Sequence, residues 1–192
     1  MTRDLGAAAP EVHAKAKEVL GFWFDGLMSE QWFAHSDSVD DAIRDLFTPL
    51  LEELKASRAE GWQDDPETLL AAVIVLDQFS RNIHRGTAEA FAADPLARTL
   101  ALSALDRGWD ARLAVQKRHF LYMPLMHAED SELQTLCLKC FDQPGLEQGL
   151  DFARQHAEVI ARFGRFPTRN AAVGRESTAE EQAYLSQPGV GW

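Results

Sequence analysis

An all-α domain is what this sequence predicts, and three observations carry the prediction. Apolar side chains recur at three- and four-residue spacings, strand-type alternation is nearly absent, and residues that start and stop helices punctuate the whole chain. A chain of 192 residues builds one continuous core more easily than two small ones, so a single helical domain is expected over 10–192. Residues 1–9 lack the long apolar stretch of a signal peptide and read as a flexible N-terminal tail.

In chain order, Pro10 suits the first turn of a helix that carries Val12, Val19, Leu20 and Trp23 and ends near Gly26. The second helix follows Ser36-Asp37, with Val39, Ile43, Leu46, Phe47, Leu50, Leu51 and Leu54 on one face. Pro49 lies inside that pattern and should bend or split the helix, because it has no N–H to give; Gly61 should close it. Asp65 and Pro66 form a cap and first turn for a third helix. Its run from Leu69 to Leu76 is apolar all round and so belongs to a helix buried on every side. Asp94-Pro95 repeats the cap-and-proline start, with Gly108 as the stop. Further helices are expected over 110–122, 131–141, 146–163 and 178–186. The boxes Ser131-Glu132-Leu133-Gln134 and Ser177-Thr178-Ala179-Glu180 would open the second and last of these. Short links between such helices predict antiparallel pairs.

Composition narrows the function classes. A net charge of −11 argues against nucleic acid or an anionic membrane surface as the partner. No apolar run approaches the roughly 20 residues that span a bilayer, and the chain reads as cytoplasmic. A glycine-rich phosphate loop, a His-Glu-x-x-His helix and a Gly-x-Ser-x-Gly elbow are all missing, and no motif calls for a cofactor or a metal. Cys137 and Cys140 form a Cys-x-x-Cys, yet both fall inside an expected helix with no strand before it. Buried thiols in a reducing compartment suit that context better than a redox or zinc pair. Trp23-Phe24 and Trp32-Phe33 read as core anchors.

The acidity is uneven. From Val159 to Arg175 there are four arginines and no acid, which leaves the rest of the chain at −15 once those charges are set apart. Arginine outnumbers lysine 14 to 5, a bias toward planar, paired recognition of carboxylate or phosphate. Such a segment meets either carboxylates of its own fold or an anionic ligand. Two Arg-Asn pairs sit in matched surroundings, Arg81-Asn82 running on to Gly86 and Arg169-Asn170 running on to Gly174. Asp77 and Arg81 are four apart and share a helix face. In the later segment Gly164 suits a helix C-terminal cap and Pro167 prevents the helix from resuming, so an ordered loop should follow.

Between the two pairs lies Tyr122-Met123-Pro124-Leu125-Met126-His127-Ala128-Glu129-Asp130. His127 beside Glu129 and Asp130 could act in proton transfer, held in one tautomer by a carboxylate. The bland reading is that His127 caps a turn while the acids pair with nearby arginines. The other histidines, His13, His35, His119 and His156, read as ordinary residues, and His84 beside Arg85 as a minor ligand candidate.

Three long stretches resemble, in order, the signatures of the bacterial domain-of-unknown-function family 924: Leu76-Asp77-Gln78-Phe79-Ser80-Arg81-Asn82, the segment from Tyr122 to Asp130, and Arg162-Phe163-Gly164-Arg165-Phe166-Pro167-Thr168-Arg169-Asn170. Val19 to Phe24 and Gly174 to Thr178 fit as well, so the resemblance covers nearly the whole chain. It implies an all-helical, tetratricopeptide-like fold and no established activity, although the chain shows no clean 34-residue repeat. The family's polar pattern falls here on Asp77, Gln78, Arg81, Asn82, Arg85, His127, Glu129, Asp130, Arg162, Arg165, Arg169, Asn170 and Arg175. Thr168 stands where members usually have histidine, and Ala128 where they usually have serine. His127 is therefore the single imidazole left for chemistry in this pattern.

Three functions compete. The leading one is a pocket for a small anionic molecule, with Arg81, Arg165 and Arg169 as clamps and His127 as acid or base. The second is an adaptor that takes a peptide or protein partner on packed helix pairs. The third is a buried polar network that only fixes helix packing.

Overall fold

In the computed structural model, residues 10–190 are described, and every regular element among them is helical. The tail assigned to 1–9 lies outside the described residues. Eight helices follow in order. Helix α1 is Pro10–Leu20 and runs on into a π turn, Gly21–Asp25, that stops at Gly26. Helix α2 is Asp37–Ser57. Helix α3 begins as Pro66–Ile74, widens into a π turn at Val75–Phe79 and ends with Ser80–Ile83. Then come α4 (Asp94–Asp106), α5 (Val115–Met126), α6 (Ser131–Phe141), α7 (Glu147–Phe163) and α8 (Ala179–Leu185). No helix of the described residues is long and apolar enough to cross a membrane.

Helix α3 is the axis of the fold. It packs against α1, α2, α4 and α5, which is why its apolar run has no polar face. Leu69 to Leu76 are all fully buried, and each large aliphatic side chain there contributes about 1.5–3 kcal/mol to folding. Helices α5, α6 and α7 pack side by side through short links. A second, small apolar cluster of Val159, Ile160 and Phe166 lies under Phe163 and Tyr184 and docks the C-terminal segment. Trp23 is buried and stacks on the half-buried Trp32, whereas Phe33 is exposed, so the second aromatic pair anchors the core through its tryptophan only.

The sequence signals place most boundaries within a turn, and the departures have physical causes. Pro49 does not split α2. The carbonyl it deprives of a partner belongs to Asp45, and both residues are exposed, so water can serve that oxygen. The helix ends before Gly61, on Arg58 and Ala59, both in the left-handed region at φ 54° and 56°. Both expected boxes start one residue off. Asp130, not Ser131, caps α6 by accepting the N–H groups of Glu132 and Leu133. Thr178, not Ser177, caps α8, with Glu181 closing the reciprocal bond. Ala93 rather than Asp94 takes the cap position of α4, and no side chain caps that helix. Gly164 ends α7 at φ 70°, and after it the chain makes the short turn Pro167–Arg169 and further turns over 170–174 before α8.

Candidate functional site

The π turn of α3 is where chemistry begins. The Ser80 N–H reaches back to the Val75 carbonyl, one residue further than an α-helix allows, and Asp77 and Gln78 sit inside this widened turn. Asp77 is 1 % exposed. It accepts hydrogen bonds from the Gln78 amide and from His127, whose Nδ1 lies 2.8 Å from Asp77 Oδ1. One turn on, Arg81 places Nη1 3.3 Å from the same oxygen and 2.6 Å from the Asp77 carbonyl. His127 arrives from the end of α5, where the chain turns toward α6. The Gln134 amide fixes that turn by donating to the Met126 and Ala128 carbonyls.

Above this pair lies Asp94, on the first turn of α4. Its carboxylate accepts from Arg81 Nη1 at 2.9 Å and Nη2 at 3.0 Å, and from Arg169 Nη1 at 3.3 Å. Arg169 comes from the turn after α7 and donates through Nη2 to the His127 carbonyl at 2.9 Å. Its guanidinium packs on two rings, 4.6 Å from the Phe91 centroid and 4.8 Å from that of Phe166. The His156 ring stands 6.2 Å from that of His127 and 5.5 Å from that of Phe166. Asp94, Arg169 and Arg81 are 17, 15 and 20 % exposed, and His127 11 %, so the cluster reaches the surface above a buried carboxylate.

The electrostatics assign protonation states. Burial alone would raise the Asp77 carboxyl, but the electrostatic pull of His127 and then of Arg81, with the bonds from His127 and Gln78, outweighs it and holds it far below the usual range. His127 is pushed down by burial and by Arg81, against the opposing pull of Asp77. An ionised Asp77 can only accept, so Nδ1 of a neutral His127 carries the proton and Nε2 keeps its lone pair. Nε2 takes no hydrogen bond from the described residues. Burial also drives His156 down to about 3, and burial pulls Arg169 below its ordinary value, aided by Arg81.

The other expected site residues go elsewhere, in a pattern. Asn82 and Arg85 both turn to Asp40 of α2, at 2.7 Å and at 2.7 and 2.8 Å. Asn170 and Arg165 both turn to Glu181 of α8, at 3.3 Å and at 2.6 and 2.8 Å. Each Arg-Asn pair thus sends its arginine to Asp94 and its asparagine to a separate buried acid. Glu129 does not meet His127. It accepts the Phe166 N–H at 2.8 Å and pairs with Arg175 at 2.7 and 2.8 Å, which fastens the segment bearing Arg169. Asp130 is an exposed helix cap, and Arg162 pairs on the surface with Glu180. The orienting acid for His127 is therefore Asp77, and Arg165 lies outside the Arg81–Arg169 pair. Thr168 is exposed and Ala128 buried. Asp94 escaped the sequence reading because its place before a proline looked like a cap. Asp40, Phe91, His156 and Glu181 carried no motif at all.

Cys137 and Cys140 are free thiols inside α6, and burial pushes both up, Cys140 to about 11, so neither is poised as a thiolate. Two groups have spacings that a cation could use, His13 with Asp64 and Asp65, and Glu52 with His84 and Glu89. Asp65 is committed to capping α3, and the Lys55 ammonium already bridges Glu52 and Glu89. Two surface grooves, one between α1 and α2 and one beside His13 and Lys117, are lined by no member of the His127 cluster. Within the cluster, Asp94 itself fills the space between the arginines.

Comparison with known proteins places the chain in a family and supports the fold. A family model described as a bacterial protein of unknown function matches residues 19–189. A solved structure of a protein of unknown function from Agrobacterium tumefaciens is similar at 36 % identity and a TM-score of 0.87, covering 91 % of this chain and 98 % of that one. No curated protein shows a significant match. With the match running from the end of α1 past α8, the chain belongs to this bacterial family, domain of unknown function 924.

Proposed function

We propose that the His127–Asp77 dyad transfers a proton on a small anionic substrate, with Arg81 and Arg169 beside it to balance negative charge. One observation carries this reading: a partly exposed imidazole holds its Nδ1 2.8 Å from a buried carboxylate, while its Nε2 meets no hydrogen-bond partner among the described residues. In that arrangement the carboxylate sets tautomer and orientation, and Nε2 is the base. Hydrolysis or isomerisation of a small carboxylate or phosphate compound fits these groups. A second reading has its own support. Asp77 and Asp94 balance Arg81 and Arg169 charge for charge, as a packing network alone would require. A tetratricopeptide-like adaptor is less well supported, because of the exposed Met28, Phe33 and Leu46 only Leu46 lines the α1–α2 groove, whose volume is about 260 Å³.

Nitrogen NMR of the His127 ring tests the proposal without a substrate. The expected spectrum is the Nδ1–H tautomer at neutral pH, with a proton taken up at Nε2 only on acidification. A proton resident on Nε2 at neutral pH would remove the base and leave the packing network. A screen of phosphates, nucleotides and small carboxylates against the parent and His127→Asn follows, with a loss on the order of 10²–10⁴ in any turnover found.

A further inference from the structure

We propose that Arg81 and Arg169 form a seat for the carboxylate of a small monocarboxylate ligand, and that Asp94 occupies this seat as an internal stand-in until the ligand replaces it. The inference deepens the proton-transfer reading and rests on it for what happens to the ligand next, though not for its binding.

Asp94 stands where a helix-capping acid is expected, yet it caps nothing and gives both oxygens to guanidiniums from distant segments. Arg81 grips it fork to fork, the geometry that a free carboxylate would adopt. Arg169 is only partly used. Its bond to Asp94 is long at 3.3 Å, its other bond goes to the His127 carbonyl, and a guanidinium has more N–H groups than these two bonds consume. Phe91 and Phe166 both pack on the guanidinium, at 4.6 and 4.8 Å, and Arg169 is still 15 % exposed to a new acceptor. Burial and the neighbouring Arg81 both disfavour its positive charge, so the site gains from any further negative charge that approaches.

After the exchange the two guanidiniums again face a carboxylate, so neither is left without an anionic partner. The released Asp94 stays on the first turn of α4, where the helix dipole favours an acid. The arriving group has one planar pair of oxygens to match the fork. A phosphate dianion would add a second negative charge beside Asp77, which already lies 3.3 Å from Arg81. A ligand seated there abuts His127, because Arg169 binds that residue's backbone oxygen.

The test is thermal unfolding of the full chain in sodium acetate, with sodium chloride at equal ionic strength as reference and inorganic phosphate as the competing anion. Asp94→Ala removes the stand-in. Acetate is expected to raise its Tm from concentrations about tenfold lower than those needed by the parent, since the parent's apparent affinity is reduced by the fraction of molecules in which Asp94 fills the seat. Adding Arg169→Met should abolish the response. Adding His127→Asn should leave it intact, so the seat and the proton-transfer step fail separately. An Asp94→Ala protein that is folded but responds to acetate no more than the parent overturns the proposal, as does an equal response to chloride or phosphate. Should Asp94→Ala not fold, Asp94→Asn keeps the side-chain shape and is held to the same criterion.

Discussion

The two Arg-Asn pairs split their side chains between two kinds of environment. At the outer clamps, Asp40 is held by Asn82 and Arg85, and Glu181 by Asn170 and Arg165. Both acids sit in the first turns of α2 and α8, both are buried, and both are held below the usual carboxylate range. For Asp40, burial opposes that shift and the Arg85 and Asn82 bonds overcome it. For Glu181, the Arg165 bond leads and carries it down to about 2. In each clamp an arginine and an amide from one segment fasten to a carboxylate on the first turn of another helix. At the centre, the arginines of the same two pairs share Asp94, and beneath them His127 keeps an unengaged nitrogen and Arg169 keeps spare donors. Closed clamps are what packing needs, whereas open valence at a partly exposed imidazole is what chemistry needs. The difference teaches that one sequence motif can serve both ends.

The largest effect that separates them is expected at Asp77. Asp77→Ala strips the buried carboxylate from both Arg81 and His127. A loss of about 3–5 kcal/mol is expected in denaturant unfolding, because a charge is left near-buried without its partner. Asp40→Ala breaks a clamp whose arginine is largely solvated, and about 2 kcal/mol is expected there, the worth of hydrogen bonds to a charged group. That variant should leave the His127 tautomer and the acetate response unchanged. Equal losses at the two positions, or a change at His127 caused by Asp40→Ala, would erase the distinction between clamp and centre.

Acid titration sharpens the same contrast. His156 beside the centre is held down to about 3, and His119, among Phe33, Phe120 and Phe141, down to about 4, both chiefly by burial. Their ordinary value is 6.5. Above pH 6.5 both states carry neutral rings, and stability is complete. As pH falls toward 4 the unfolded chain takes up protons that the folded protein refuses, so stability drops by at most about 1.4 kcal/mol per pH unit for each histidine. His156→Phe should remove one histidine's share of that slope between pH 6.5 and 4, measured as unfolding free energy against pH. The clamps respond mostly below this window: their carboxylates have lowered values, and their contribution begins to fade near the unfolded values of 4.5 for Glu181 and 3.8 for Asp40 and is lost on further acidification. An unchanged slope in His156→Phe would place the acid sensitivity elsewhere.

How far the sequence carried the fold and the site differs for the same reason. Helix α3 was readable because its burial on all sides leaves an unbroken apolar run. Gly164 and Pro167 fixed the end of α7 by local sterics. The pairing of Asp77 with Arg81 followed from helical spacing. What spacing could not give was which acid meets His127. The neighbours in sequence, Glu129 and Asp130, are carried away by the turn into α6, while Asp77, fifty residues earlier, is brought beneath it by a π turn with no sequence signature. Asp94 was hidden for a related reason. An acid before a proline is a local signal for a cap, and here tertiary contacts with Arg81 and Arg169 override it.

Asp130 gives the smallest and most specific check. It lies three residues from His127, and sequence alone ranked it with Glu129 as a partner for the imidazole. Its carboxylate instead accepts the N–H groups of Glu132 and Leu133 at 2.9 and 3.0 Å and opens α6. Asp130→Ala should cost about 1 kcal/mol, the usual penalty for losing a helix cap. Asp130→Ser should restore most of it, since a hydroxyl caps as well. A catalytic acid would behave in the opposite way, with serine rescuing stability but not the His127 titration. If Asp130→Ser shifts the pH at which His127 takes its proton as much as Asp130→Ala does, the carboxylate charge is felt at the ring, and Asp130 belongs to the centre after all. If only stability moves, and serine repairs it, then Asp130 serves the helix, and Asp77 alone orients the base.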